Sequence, residues 1–251
     1  MIDRDTLVSY TDTLLDAHAF RDYAPNGLQV EGCSGIERIV AGVTASLELL
    51  EAAVERDAQL VLVHHGYFWR GEAATVTGTR RRRLQVLLGN DINLLAYHLP
   101  LDCHGSYGNN VQLARQLDIK VTGEVKGEVA GLTLRGELPT PMSADVLAEH
   151  IERRLGRAPL HLPGDRASIR SIAWCTGAAQ GYFEVAVSAG VDAYLTGEVS
   201  EYTTHLARES GVHFFAAGHH ATERYGVKSL AEHLAEQFDV IAEFIDIDNP
   251  V

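Results

Sequence analysis

Cysteine is scarce in this chain. Cys33, Cys103 and Cys175 lie far apart, are odd in number, and form no C-x-x-C pair. That excludes a disulfide framework and a zinc ribbon, and a reducing cytoplasm is the compartment that fits. Basic residues are also few. Lys and Arg number 21 against 34 Asp and Glu, a formal net charge of −13, which repels nucleic acid and anionic membranes unless a basic patch is locally concentrated. Long apolar runs are missing as well. No eighteen consecutive residues are apolar, and the start, Met1-Ile2-Asp3-Arg4-Asp5, alternates charges without an apolar signal core, so neither membrane spanning nor export is expected. What is present is 46% apolar and 22% charged residues over 251 positions, the make-up of a globular protein with room for a real core and for two domains.

The order of elements predicts an α/β protein. An amphipathic helix is expected from Arg4 to Ala17 behind Asp3 or Asp5 as cap. Pro25-Asn26-Gly27 carries the chemistry of a plain hairpin turn before a short strand. Ile39–Thr44, a helix Leu47–Val54 and Leu60–Val63 then form a β-α-β unit, which requires a parallel sheet. A helix Leu84–Leu88 leads to a strand Ile92–Tyr97, and a further helix spans Asn109–Leu117. The same order returns with Ser171–Thr176 as strand, Tyr182–Ala189 as helix, and strands at Asp192–Leu195 and Val212–His219. We therefore expect an internal duplication of two similar α/β units, residues 1–122 and 123–251. The second would open with a glycine-rich hairpin (Gly123, Gly127, Gly131, Gly136) and a helix Ala144–Leu155 capped by Ser143, all within 123–160, and carry its repeat at 168–240.

The strand ends collect a distinctive set of side chains: His64, His65, His98, Asp102, Glu198, His219, His220 and Glu223. Open α/β sheets hold ligands at the carboxyl ends of their strands, and imidazole with carboxylate suits zinc, iron or manganese. His219 and Glu223, four apart, share one face of a helix that begins at once. Adjacent residues of a strand point oppositely, so His64 and His65 serve two metals more naturally than one.

In order, Asn26-Gly27-Leu28-Gln29-Val30, His64-His65-Gly66 with Trp69, His98-x-x-x-Asp102, Thr196-Gly197-Glu198 and Gly218-His219-His220-Ala221-Thr222-Glu223 resemble the motif set of the NIF-three-like family over essentially the whole chain. Many bacterial members are described as GTP cyclohydrolase I type 2 homologues. The resemblance implies a shared dinuclear metal site whose ligands here would be His64, His65, Asp102, His219 and Glu223. It also implies a ring-shaped homohexamer. One metal would take His65 and Asp102 and the other His64 and His219, with Glu223 bridging and positions left open for water. His98 is a general-base candidate, or else supports a ligand from behind; His220 and Glu198 have the same two readings. Arg80-Arg81-Arg82-Arg83 either holds a substrate phosphate or is a solvated helix start, the blander view being preferred. Cys103 is a soft ligand or a small buried hydrophobe.

Three functions compete. The first is a metal-dependent hydrolase of a nucleotide or related small molecule, opening a purine ring as a GTP cyclohydrolase would. The second is a regulatory or partner-binding metal protein without catalysis, disfavoured because structural metal sites are usually closed and four-coordinate. The third is a two-metal phosphodiesterase or nuclease on single-stranded or damaged DNA, against which the net charge of −13 weighs.

Overall fold

The computed structural model describes residues 1–126 and 129–251. Its chain divides into two compact units, Met1–Leu101 with Gly226–Asp248, and Asp102–Tyr225 with Asn249–Val251.

The first unit is built on a five-stranded sheet in the order Ile241–Phe244, Arg38–Thr44, Leu60–His65, Asn93–Ala96, Gly27–Val30. The first four strands run parallel and the last is antiparallel to its neighbour. Parallel pairing follows from the helical crossovers Leu47–Glu55 and Gly78–Gly89 between successive strands. The strands are apolar on both faces, and each face has its own core. Ile39, Ala41, Leu60, Leu62 and Leu95 pack with Leu7 and with Val227, Leu230 and Leu234, while Val40, Val61, Val63 and Leu94 pack with Leu49, Leu50 and Leu87. This alternation is the period of two expected of a strand covered on both sides.

The second unit carries a six-stranded sheet, Lys120–Glu124, Leu134–Met142, Ile169–Trp174, Ala193–Thr196, His213–Ala216, Leu160–Leu162. The central trio from Ile169 to Ala216 is parallel and the flanking pairs are antiparallel. Ile172, Trp174, Leu195 and Phe215 face the helices Asn109–Gln116 and Ala144–Leu155 through Leu113, Leu147 and Ile151. On the other face Phe183 stacks on Tyr194 and meets Phe214 edge-on, with Tyr194 and Phe214 tilted against each other. Each sheet thus contains a run of parallel strands, four in the first and three in the second, that ends beside an antiparallel strand.

Four helices end by the same device. Asp57, Asp91, Asp118 and Asp239 adopt the left-handed conformation, φ between 52° and 55°, and the next residue donates its N–H five residues back: Ala58 to Ala53, Ile92 to Leu87, Ile119 to Ala114, Val240 to Ala235. This closes the helix end and starts the next segment on an apolar residue. Aspartate tolerates the left-handed region because its side chain is short and polar.

Several expectations need correction. Pro25-Asn26-Gly27 is not a hairpin turn: the strand Gly27–Val30 pairs with Asn93–Ala96, and the Asn26 side chain is engaged elsewhere. The helix expected at Leu84 begins at Gly78 and so contains all four arginines. The final helix starts at His219, as the spacing of His219 and Glu223 requires, and runs to Phe238. The compact units do not break at 122/123. Leu113, Ala114 and Leu117 belong to the core of the second sheet, and Ile241–Phe244, a strand not foreseen, pairs beside Arg38–Thr44. The helix Thr203–Ser210 was not foreseen either. The hairpin is present as Lys120–Glu124 against Leu134–Met142, with Val121 opposite Gly136; Gly127 lies outside the described residues. Among those, no helix is long and apolar enough to cross a membrane.

Candidate metal centre

In the first unit the strand Leu60–His65 stays extended through both histidines. His64 is fully buried and its Nδ1 lies 2.9 Å from the Tyr97 carbonyl oxygen. A carbonyl only accepts, so Nδ1 carries the proton and Nε2 presents a lone pair, the form that ligates a metal. His65 points to the other side of the strand, with Nδ1 3.3 Å from the Thr44 hydroxyl. The ring centres are nevertheless 4.5 Å apart. His98 joins them from the end of the next strand: a ring nitrogen of each of His64, His65 and His98 lies within 4.8 Å of the other two. Three imidazoles so close, one with its tautomer fixed, fit a divalent cation of the borderline class.

His98 is held by Asp22. The carboxylate, 2% exposed, accepts from His98 Nδ1 at 2.7 Å and the Tyr23 N–H at 2.6 Å on one oxygen, and from Asn26 Nδ2 and the Leu99 N–H, both at 2.9 Å, on the other. Asn26 also accepts from the His98 N–H at 2.8 Å. Burial alone would raise the Asp22 carboxyl, but His98 and the other donors outweigh it and bring the pKa to about 2. Gly66 is required by space. A Cβ there would sit 2.1 Å from Gln29 Oε1 and 2.6 Å from Ala96 Cβ, and Gln29 Oε1 accepts from the Tyr67 N–H at 2.6 Å. Trp69 closes one side, its ring centre 5.0 Å from that of His98 and 5.9 Å from that of His65.

In the second unit His219 and Glu223 occupy the first turn of the last helix. His219 Nε2 is 3.1 Å from Glu223 Oε2 and Nδ1 is 2.7 Å from Glu198 Oε1. Burial disfavours the imidazolium, yet Glu223 first and Glu198 second outweigh it and raise the pKa to about 9. A divalent cation on Nε2 would take the place of that proton, with Glu198 still orienting the ring from behind. Glu223 is 3% exposed, and Gly177, at φ +68°, leaves the room it needs: a Cβ there would be 2.1 Å from Glu223 Oε1. Gly177 is fixed in turn by Thr222 Oγ1 on its N–H and Thr196 Oγ1 on its carbonyl, both at 3.0 Å. Asp102 is 6% exposed; its Oδ1 accepts from Asn109 Nδ2 at 2.9 Å and Thr176 Oγ1 at 3.3 Å.

The structure therefore gathers His64, His65 and His98 in one unit, and His219, Glu223 and Glu198 in the other, with Asp102 buried among polar groups of the latter. Glu198 acts on His219 rather than standing as a separate ligand. His220 donates its backbone N–H to the Val251 carbonyl at 2.9 Å. Cys103 is half-buried and belongs to no ligand group among the described residues. Sequence reasoning missed Asp22, Asn109, Thr176 and Gly177. Asp22 alone left a trace, being four residues before the Asn26 that opens the first motif.

The relatives agree with one another. A Pseudomonas aeruginosa protein called GTP cyclohydrolase 1 type 2 homolog is 58% identical over 246 residues, covering 98% of this chain and 97% of its own. The Escherichia coli K12 protein of the same name is 53% identical over 238 residues, 94% of each. Among solved structures, that of the protein ybgI, described as of unknown function, superposes with a TM-score of 0.97 at 50% identity over the whole of both chains. A Thermus thermophilus protein does so with 0.90 at 33% identity, again over both chains entirely. The profile of one family matches residues 2–250. The chain belongs to the Duf34/NIF3 (NGG1p interacting factor 3) family.

Proposed function

We propose that the chain is a metal-dependent hydrolase of a nucleotide or related small molecule, acting through a dinuclear centre whose ligands are His64, His65, Asp102, His219 and Glu223. The observation that carries this is His219, whose ring is braced by Glu198 on Nδ1 and faces Glu223 from Nε2, a carboxylate–histidine arrangement suited to metal ligation. Bound divalent ions would supply Lewis acidity and lower the pKa of a water toward neutrality. The chain's own groups do the rest. His98, whose Nδ1 proton is committed to Asp22, has Nε2 as its basic nitrogen and takes up the proton released in hydrolysis. Asn109 and Thr176 hold Asp102 in one rotamer, and Trp69 limits water beside His65.

Support for the nucleotide substrate comes from the relatives' names, which carry the word homolog; the chemistry they suggest is opening of a purine ring. The like order of parallel strands in the two sheets supports an origin by duplication. A cytoplasmic homohexamer completes the reading, with zinc, iron or manganese as the metal. The test is elemental analysis after loading with each metal, followed by a screen of nucleotides and phosphoesters including GTP. About two ions per chain and turnover lost in His65→Ala are expected. Less than one ion per chain, or GTP turnover equal in wild type and His65→Ala, would overturn the proposal.

A further inference from the structure

The four consecutive arginines are not equivalent. On the helix Gly78–Gly89, Arg81 and Arg82 are exposed, whereas Arg80 and Arg83, three apart and therefore on one face, are half-buried. Both line a cavity of about 380 Å³ together with Tyr67, Thr75, Thr77 and Thr79. A merely solvated charge run would not turn two of its members inward.

The donors of this cavity outnumber its acceptors. The Arg80 guanidinium is engaged by the Glu72 carboxylate and the Ala73 carbonyl. Arg83 lies 5.9 Å from the centre of the Tyr67 ring, and its Nε is shut off from solvent with no hydrogen-bond partner among the described residues. Glu72 is the one carboxylate in the lining, set against two guanidinium groups and three threonine hydroxyls. Thr77, which precedes the helix, makes no side-chain cap, so its hydroxyl is not committed to the first turn. The net result is a local surplus of positive charge in a chain of net charge −13.

Guanidinium forks with hydroxyl donors suit a tetrahedral oxyanion bearing several oxygens. The volume exceeds what one phosphate fills and accommodates a linked pair. We propose that this cavity binds the phosphate groups of a small phosphorylated ligand, with Glu72 as the internal counter-ion that such a ligand displaces from Arg80. The overall negative charge favours a nucleoside phosphate over a nucleic acid strand. In naming the ligand this deepens, and rests on, the nucleotide reading; phosphate capture itself needs no metal. Tyr67, two residues beyond His65, is the wall shared with the histidine strand.

The test uses the full chain stripped of metal with a chelator and titrated calorimetrically with inorganic pyrophosphate. Saturable binding is expected, weakened about tenfold or more by Arg83→Gln or Arg80→Gln, restored only in part by Arg83→Lys, and tightened several-fold by Glu72→Gln. If an arginine variant does not fold, the tightening by Glu72→Gln decides. The proposal is overturned if stripped wild type takes up no pyrophosphate, if folded arginine variants bind it unchanged, or if a single-stranded oligonucleotide displaces it more readily than a nucleoside triphosphate. Because metal content and turnover are measured separately, either reading can fail alone.

Discussion

Replacing Asp22 by Asn keeps shape and removes the charge on which the first histidine cluster leans. Each Asp22 oxygen accepts two donors at 2.6–2.9 Å, so turning one into an NH₂ leaves two donors facing another donor. At roughly 1–1.5 kcal/mol for each stranded group, the loss is about 2–3 kcal/mol. The titration of Asp22 expresses the same contacts as a pKa: a carboxyl lowered from 3.8 to about 2 contributes roughly 2.5 kcal/mol, at about 1.4 kcal/mol per pKa unit. The two agree. The sign follows from the depression: the stability is fully present above about pH 4 and disappears as pH falls toward 2 and Asp22 protonates. Urea unfolding of the chelated protein should therefore show Asp22→Asn destabilised by about 2–3 kcal/mol at pH 7 and at pH 5, and by progressively less at pH 3.5 and below. A difference under about 0.5 kcal/mol at neutral pH, or one that does not shrink in acid, would refute the account of how His98 is held.

Two further outcomes concern the second unit. In metal-free protein His219 titrates at about 9; because its pKa is raised on folding, the stability it brings is complete below about pH 6.5 and is lost as pH rises through 9. NMR of the imidazole ring should report that value, and Glu198→Gln should lower it; no change would sink the assignment of Glu198 as its brace. Gly177→Ala forces a Cβ to within 2.1 Å of Glu223 Oε1 at a backbone φ of +68°. It should cost about 1–3 kcal/mol by overpacking and left-handed strain and reduce metal content, and a variant with wild-type melting and metal uptake would contradict the crowding.

Much of this was legible in the sequence, and the boundary is physical. Leu60–Val63 announces itself as a strand because it is apolar at every position, as burial on both faces demands. His219 and Glu223 are legible as a pair because helical spacing alone brings them together. Asp22 was not, since its partner His98 lies 76 residues away and nothing local marks the contact. Arg80 to Arg83 read as a helix start, but which two of them turn inward did not show, because polar residues carry no hydrophobic period. The edge strand Ile241–Phe244 is short and partly polar, and it pairs with residues some 200 positions earlier. Gly177 shows only that a glycine is present; that Glu223 needs its vacant side is a fact of packing.

The aspartates that close four helices have a consequence for how far this scaffold could be pushed. Each places a carboxylate beside the negative end of a helix dipole and holds an L-residue in a conformation that glycine enters without strain. Asp118 is ion-paired with Arg154; exchanging the other three, Asp57, Asp91 and Asp239, for glycine would change the net charge from −13 to −13 + 3 = −10. At about 0.5–1 kcal/mol each, the exchanges form a reserve of thermal tolerance that alters no proposed ligand. A heat-hardened variant built this way would retain the proposed metal ligands while giving a sturdier vehicle for the metal and substrate screens that test the proposed function.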